Sequence, residues 1–241
     1  MDNYREILKV DKKSAVAYMF NSIAWRYDFL NHLLSFGIDR SWRKKAIHSV
    51  SGRYTKPEVL DVATGTGDLA IAALKLNPVR VTGIDISQNM IEKGRHKIAA
   101  KGLERIIELK EGDTEKLEFN DNVFDITMVA FGVRNFSDPQ KGLKEMYRVL
   151  RSTGTLMILE FSKPVRFPFR QIYFIYFRNI LPFIGRLFSN DRNAYRYLPE
   201  SVMLFPDIED FIRLIESAGF TNVYHKKLTG GIASIYTGIK P

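Results

Sequence analysis

The stretch Glu58–Ala70, which reads EVLDVATGTGDLA, decides the fold of this chain. It begins as a short apolar run and then places Gly65 and Gly67 just ahead of a helical pattern. We predict a buried strand over Glu58–Ala63 and a helix over Gly67–Leu76. The two glycines permit a sharp turn, because glycine adopts backbone conformations that other residues avoid. A strand–turn–helix unit of this kind puts the turn at the edge where open α/β sheets bind ligands.

Strand patterns and helix patterns continue to alternate on the carboxyl side of this stretch. Such alternation predicts an α/β fold, with a doubly wound and mostly parallel sheet covered by helices on both faces. Near the end, Phe220–Leu228 and Ile232–Ile239 follow each other without a helix, so we predict a terminal antiparallel hairpin. The other predicted strands are Val79–Asp85, Arg105–Lys110, Phe124–Ala130 and Gly154–Phe161, and the other predicted helices are Ser87–Lys101, Asp138–Leu150 and Asp207–Ala218.

The length of 241 residues suits a single α/β domain with an insertion. Residues 1–55 read as a helical cap, with helical patterns from residue 13 to residue 50, and residues 56–162 as the ligand-binding core. The alternation stops at residues 163–200, which are aromatic, basic and interrupted by prolines. We predict that this segment is an inserted lid. Residues 201–241 then supply the last helix and the hairpin.

The composition excludes several kinds of chemistry. The chain has no cysteine, so disulfides, thiolate metal sites and cysteine nucleophiles are ruled out. Its four histidines lie far apart without metal-ligand spacing, and no metal site is predicted. The charged N-terminal segment lacks the apolar core of a secretion signal, and no apolar run of about 18 residues occurs. We therefore expect a cytoplasmic protein without a membrane-spanning segment.

The formal net charge of +9 has three interpretations. A basic protein can bind nucleic acid, can bind an anionic membrane surface, or can have a positively charged surface with no specific partner. Lysines and arginines are spread along the chain and never form a block of five or six. This distribution argues against a nucleic-acid partner and leaves the other two interpretations open.

Three acidic residues stand where the first three predicted strands end. Asp61 precedes the glycine loop, Asp85 ends the second strand, and Asp113 follows the third. The loop also matches the dinucleotide pattern G-x-G-x-x-G/A, but three acids would repel a pyrophosphate. They suit S-adenosylmethionine, which carries an ammonium group, a sulfonium and a ribose diol. We therefore predict S-adenosylmethionine as the cofactor. The alternative is that Asp85 and Asp113 only cap the helices that follow them.

The loop resembles motif I of the class I methyltransferases, which have a Rossmann-like fold. Four further segments resemble the ubiquinone/menaquinone biosynthesis C-methyltransferase family. They are residues 27–42 (YDFLNHLLSFGIDRSW), Phe131–Asn135 (FGVRN), Leu159–Pro164 (LEFSKP) and Tyr195–Ser201 (YRYLPES). The resemblance runs from about residue 14 to the end of the chain.

This resemblance implies methyl transfer from S-adenosylmethionine to a ring carbon of a polyprenylated hydroquinone. Demethylmenaquinol is the favoured substrate, although the ubiquinone pathway stays open. The resemblance further implies that Thr64, Asp85, Asp113 and Thr114 contact the cofactor. Ala130 replaces a serine of some family members, so that contact is absent. Arg151–Gly154 departs from the usual Lys-Pro-Gly-Gly turn, which concerns a connection and not chemistry.

C-methylation of a hydroquinone needs a group that favours the ionised ring hydroxyl, because a neutral ring carbon is a poor nucleophile. Arg134 stays protonated, so we predict that it stabilises the phenolate or orients a water; a structural ion pair is the alternative. Asn135 is predicted to orient a quinol oxygen, unless it is a turn residue. His32 is the candidate general base. Tyr195 and Tyr197 are predicted to face the substrate, although packing in the lid is equally compatible.

The predicted lid suits an apolar substrate at a membrane surface. Aromatic side chains alternate there with Arg166, Arg170, Arg178 and Arg186, in a segment too charged to span a bilayer. We predict peripheral contact with an anionic membrane or a roof over the prenyl chain; a buried helix pair is the alternative. A methyltransferase for another lipid such as phosphatidylethanolamine, a nucleic-acid methyltransferase and a non-catalytic binding module are the competing functions. A homodimer stays open, because no sequence feature specifies the oligomeric state.

Overall fold

The computed structural model is built around one mixed sheet. It describes residues 11–35, 37–164, 167–175, 197 and 200–241. The side chains of residues 26, 28–34, 172 and 174 are not described. The strands of the described residues are β1 (Glu58–Val62), β2 (Arg80–Asp85), β3 (Ile107–Glu111), β4 (Phe124–Ala130), β5 (Leu150–Phe161), β6 (Thr221–Leu228) and β7 (Ala233–Ile239). Their order across the sheet is β3-β2-β1-β4-β5-β7-β6. Strands β1 to β5 run parallel, whereas β7 is antiparallel to both of its neighbours. The predicted parallel sheet with a terminal hairpin is confirmed.

The helices lie on both faces of this sheet. The described helices are α1 (Lys12–Leu34), α2 (Ile38–Val50), α3 (Asp68–Ala72), α4 (Gln88–Ala99), α5 (Pro139–Val149), α6 (Phe169–Ile175) and α7 (Ile208–Ser217). Short 3-10 turns follow α3, β4 and β6. Ser87 caps α4 as predicted, because its hydroxyl accepts a hydrogen bond from the Met90 N–H at 3.3 Å. The predicted helical region at residues 13–50 is two helices, separated at Gly37, whose φ of 72° needs glycine.

Alternate residues of β1 serve the two halves of the core. Val59 packs with the layer that contains α2 and α4, whereas Leu60 and Val62 pack with the layer that contains α5 and α7. This alternation is the side-chain period of a strand that is buried on both faces. Asp61 shares the parity of Val59, so the strand directs its carboxylate to the α2 side.

The predicted start of the fifth strand was wrong. The strand begins at Leu150, not Gly154, and Leu150 pairs with Phe124 before a shift in register. Thr153 has a φ of 63°, and its N–H donates to the Lys240 carbonyl at 2.8 Å. This irregularity lets the strand pass through Arg151–Gly154 without ending. The pairing of distant segments, not the local turn pattern, sets this boundary.

Only part of the predicted lid falls within the described residues: α6, Tyr197 and the beginning of the segment that leads to α7. Tyr195 lies outside them. The division of the chain into cap, core, lid and C-terminal part therefore stays a prediction. None of the described helices is both long and apolar enough to cross a membrane.

Candidate cofactor and substrate site

A cleft of about 640 Å³, measured with its open mouth, lies at the carboxyl edge of the parallel strands. The strand ends and α1 close around it, and its walls include Tyr27, Gly65, Asp85, Asp113, Phe131 and Asn135. Loops after β1, β2, β3 and β4 meet here because parallel strands end at one edge. The cleft therefore lies at the edge of the sheet where the sequence predicts a ligand site.

Asp61 lies behind the glycine loop and is completely buried. Its Oδ2 accepts a hydrogen bond from the Thr64 hydroxyl at 2.6 Å, whereas its Oδ1 has no partner among the described residues. Burial raises the pKa of Asp61 to about 7, and the Thr64 hydrogen bond opposes this shift. Ala63 and Gly65, on either side of Thr64, line the cleft. The unsatisfied oxygen suits a cationic partner at this loop, reached directly or through a water.

Asp85 ties the glycine loop to the end of β2. Its Oδ2 accepts from the Gly65 N–H at 2.8 Å, and its Oδ1 accepts from the Ser87 N–H at 2.9 Å. Burial raises the pKa of the carboxyl, and these backbone hydrogen bonds lower it. Asp85 therefore does not cap α4, whose cap is Ser87; it joins two loops by backbone hydrogen bonds and also lines the cleft. A carboxylate has enough acceptor positions to keep both hydrogen bonds and receive a ribose hydroxyl.

Asp113 stands at the opposite wall, two residues beyond β3. Its Oδ2 forms an ion pair with Lys13 Nζ of α1, and its Oδ1 accepts from the Glu115 N–H at 2.9 Å. Thr114 lines the cleft beside it. The structure therefore brings Gly65, Asp85, Asp113 and Thr114 to one cleft.

The N-terminal helix α1 is anchored over the cleft by contacts that the sequence did not reveal. Lys12 Nζ donates to the Arg134 carbonyl at 3.1 Å and also to the Phe136 carbonyl. Asn21 accepts from the Ser87 hydroxyl at 2.7 Å, so α1 also contacts the start of α4. Tyr27 of this helix also lines the cleft, and the side chain of its neighbour Asp28 lies outside the described residues.

A buried ionic network supports the glycine loop from the α2 side. Arg43 pairs with Asp39 and with Asp68, whose Oδ2 lies 3.5 Å from Arg43 Nη2. Lys97 donates to the Thr66 hydroxyl at 2.9 Å and to Asp68 at 2.8 Å. These residues were missed because their spacing along the chain is irregular. The acidic first residue of α3 was the available signal, since a helix N-terminus attracts carboxylates.

Arg134 follows β4 and is not among the residues that line the cleft; its side chain lies in a buried cluster next to it. Its Nη1 lies 2.7 Å from Glu160 Oε1, and the side chains of Arg134 and Glu160 are 7% and 0% exposed. The guanidinium also lies 5.2 Å from the centre of the Phe161 ring. The neighbouring Asn135 lines the cleft instead, and its buried Oδ1 has no partner among the described residues. The segment Phe131–Asn135 thus borders both the cleft and the Arg134 cluster.

Tyr197 belongs to the Arg134 cluster. It is 8% exposed, and burial raises the pKa of its phenol to about 12, against the opposing effect of the Arg134 charge. Burial also raises the pKa of Tyr173 in α6, again opposed by Arg134. His32 lies in α1, but its side chain is outside the described residues, so the structure does not place it relative to the cleft or to the Arg134 cluster.

The whole chain matches one family of known proteins. Residues 8–240 match the model of the ubiE/COQ5 methyltransferase family. The chain is 46% identical over 230 residues to the demethylmenaquinone methyltransferase of Bacteroides fragilis, with 95% of this chain and 94% of that protein covered. The chain belongs to the ubiE/COQ5 methyltransferase family. A second relative is the ubiquinone/menaquinone biosynthesis C-methyltransferase UbiE of Geotalea daltonii, 47% identical over 233 residues, with 95% and 98% covered.

The solved structures agree on the fold of this ubiE/COQ5 family member. A SAM-dependent methyltransferase of Thermotoga maritima superimposes with a TM-score of 0.63 and 20% identity, covering 94% of this chain and 100% of that one. This likeness shows the class I methyltransferase fold. Membership in the family confirms the predicted enzyme class and the predicted methyl donor, S-adenosylmethionine.

Proposed function

We propose that this ubiE/COQ5 family member methylates a ring carbon of demethylmenaquinol to give menaquinol. The names of the relatives at 46% and 47% identity support a polyprenylated quinol of this pathway. The observation that carries the proposal is the position of Phe131–Asn135. This one segment forms a wall of the acid-lined cleft through Asn135 and places Arg134 in a buried aromatic cluster.

The residues of the cleft fit S-adenosylmethionine. Asp61, behind the glycine loop, would offer an unsatisfied carboxylate oxygen to the ammonium group. Asp85 would accept from the ribose hydroxyls, and Asp113 and Thr114 would hold the adenine. Gly65 and Gly67, with φ values of 57° and 81°, shape the loop beneath the amino-acid portion. When bound, the cofactor supplies a methyl group on a sulfonium and leaves as a neutral thioether once the ring carbon has gained the methyl and lost its proton.

The residues of this chain align the ring and favour its ionised form. A guanidinium remains protonated, so Arg134 stabilises negative charge on a ring oxygen and does not itself remove the proton. Asn135, with an unsatisfied Oδ1 beside the cleft, accepts a hydrogen bond from a hydroxyl and so orients the ring. Exclusion of water by α1 and the lid strengthens both interactions, because charges interact more strongly at low dielectric constant. His32 remains the candidate for the general base.

We further propose that the enzyme works in the cytoplasm and touches the membrane surface reversibly to collect its apolar substrate. Large apolar side chains are exposed on α1 and beside the lid, including Trp25 at 71%, Phe167 at 79% and Leu204 at 85%. Such side chains, combined with a net charge of +9, suit an anionic bilayer surface. The homodimer and the absence of a nucleic-acid partner stay predictions.

A product assay tests the proposal. The purified protein is incubated with methyl-labelled S-adenosylmethionine and chemically reduced demethylmenaquinol of short chain length, and the lipids are analysed by mass spectrometry. We expect labelled menaquinol with the wild type and a large loss with Asp85→Ala at limiting cofactor. Parallel incubations contain demethylated ubiquinol precursor, phosphatidylethanolamine or RNA. Label in one of these, with none in menaquinol, would replace the proposed substrate.

A further inference from the structure

Glu160 is a charged residue in the interior, at the penultimate position of β5. Its Oε1 accepts from Arg134 Nη1 at 2.7 Å and from the Phe161 N–H at 2.9 Å. Its Oε2 lies 3.3 Å from the backbone nitrogen of Arg134 and accepts from that N–H. One carboxylate therefore holds both the main chain and the side chain of Arg134. The partners are 26 residues apart in sequence: Glu160 is in β5, and Arg134 is in the 3-10 turn that follows the adjacent strand β4.

Stability alone does not account for this pair. Removing two charges from water costs several kcal/mol for each ion, and apolar residues of similar volume are often as stabilising. The pair does restrict the direction of the guanidinium, since its Nη1 is fixed at both Glu160 and the Phe131 carbonyl. A fixed orientation of the guanidinium is important because a catalytic cation has to stabilise negative charge at one defined position.

The opposite edge of the guanidinium retains its hydrogen-bonding capacity. Arg134 Nε is buried and has no acceptor among the described residues. The Tyr197 hydroxyl is also buried and has no partner in the described part of the chain. The charge of Arg134 lowers the pKa of this phenol, and the charge of Glu160 raises it. The buried Nε–H of Arg134, which has no partner among the described residues, suits an acceptor oxygen of a ligand.

We propose that Glu160 is a positioning residue for methyl transfer: it holds Arg134 so that the free guanidinium edge meets a ring oxygen of the quinol. This inference rests on the proposed quinol methylation. Glu160 also offsets the charge of Arg134, so the pair presents a directed donor with almost no net charge. A ring hydroxyl in contact with the pair therefore ionises less readily than beside a lone arginine.

Two opposite effects follow from Glu160→Gln, which keeps the size of the side chain and removes its charge. Arg134 loses its orientation, so the plateau of kcat should fall about ten- to a hundredfold, the scale of a misplaced catalytic group. The uncompensated cation should at the same time move the acid limb of the kcat profile to lower pH by about one unit. A purely structural residue would lower the amount of folded enzyme without moving that limb.

The test measures kcat and KM against pH for the wild type, Glu160→Gln and Glu160→Asp. Glu160→Asp keeps the charge but shortens the reach, so its plateau should fall while its acid limb stays at the wild-type pH. The matched control is Glu145→Gln, which breaks the ion pair of Glu145 with Arg148 in α5 and should leave both features unchanged. Affinity for S-adenosylmethionine should be the same in all variants. If Glu160→Gln had the same kcat plateau as the wild type and an acid limb at the same pH, the inference would be overturned.

A second measurement does not depend on activity. In protein labelled with ¹⁵N-arginine, the Arg134 side-chain signals are assigned by their loss in Arg134→Lys. We expect slow rotation of the guanidinium in the wild type and fast rotation in Glu160→Gln. Equal rotation in the two proteins would refute the positioning role, whether or not demethylmenaquinol is the substrate. A wild type that rotates slowly but does not methylate the quinol would instead contradict the proposed function.

Discussion

Replacing Asp61 by asparagine should remove a pH dependence of stability that burial creates. The carboxyl is completely buried, and desolvation raises its pKa from 3.8 to about 7. Its folded pKa lies above its unfolded pKa, so the folded protein holds the proton more tightly. This contribution to stability is fully present below about pH 4 and is lost as the pH rises through about 7.

The size of the effect follows from the linkage relation. Between about pH 6 and about pH 8, a carboxyl with a folded pKa of about 7 reduces the free energy of unfolding by about 1.4 kcal/mol. Histidines titrate in the same range, and burial lowers the pKa of His225, which makes the protein more stable as the pH rises. These other groups contribute equally to both proteins, so their contributions cancel in the difference between the wild type and Asp61→Asn.

Urea unfolding measures this difference at the two pH values. The free energy of unfolding of Asp61→Asn minus that of the wild type should increase by about 1.4 kcal/mol between about pH 6 and about pH 8. Asp210→Asn, in an exposed position of α7, is the control and should show no such growth. A constant difference between wild type and Asp61→Asn would refute the claim that burial raises the pKa of Asp61.

Cofactor binding should also change the protonation of the Asp61 carboxyl. Near pH 7 about half of the Asp61 side chains are protonated, and an ammonium group nearby favours the ionised form. Binding of S-adenosylmethionine should therefore release about half a proton more from the wild type than from Asp61→Asn. Calorimetry in buffers with different ionisation enthalpies counts these protons. If both proteins released the same number of protons, the protonation of Asp61 would not depend on the bound cofactor.

Calorimetry should show that Asp85→Ala weakens S-adenosylmethionine binding by about 1–3 kcal/mol, since it removes charge-assisted hydrogen bonds; unchanged affinity would contradict the assignment. Arg134→Ala should lower kcat about a hundred- to a thousandfold without changing cofactor affinity, and Arg134→Lys should be partly active; normal turnover of Arg134→Ala at saturating quinol would make Arg134 structural. Gly83→Ala should weaken cofactor binding, because its Cβ would lie 2.8 Å from the Thr64 hydroxyl oxygen; a wild-type dissociation constant would show that the loop adapts. The enzyme should bind anionic vesicles more strongly than neutral ones and less at high salt, and sedimentation with equal binding to both would exclude electrostatic attraction.

Local patterns were sufficient for most of the sheet. Strands buried on both faces appear as continuous apolar runs, and a polar or glycine-containing segment follows each of them at the carboxyl edge. The positions of Gly65, Asp85 and Asp113 in the cleft follow from this rule, because parallel strands bring their ends together. The pattern was less informative at Leu150, where pairing with Phe124 extends β5 through a segment that resembles a turn.

The sequence by itself determined the order of elements, the edge of the sheet where the cleft lies and the resemblance to the family. The tertiary structure decided how the charged side chains are used. Asp113 pairs with Lys13 across 100 residues, and Arg134 pairs with Glu160 of β5. The physical reason is range: periodicity reports which face of an element is buried, whereas an ion pair depends on the packing of segments that are distant in sequence. The chemistry of Arg134 therefore depends on a neighbour that no local pattern identifies.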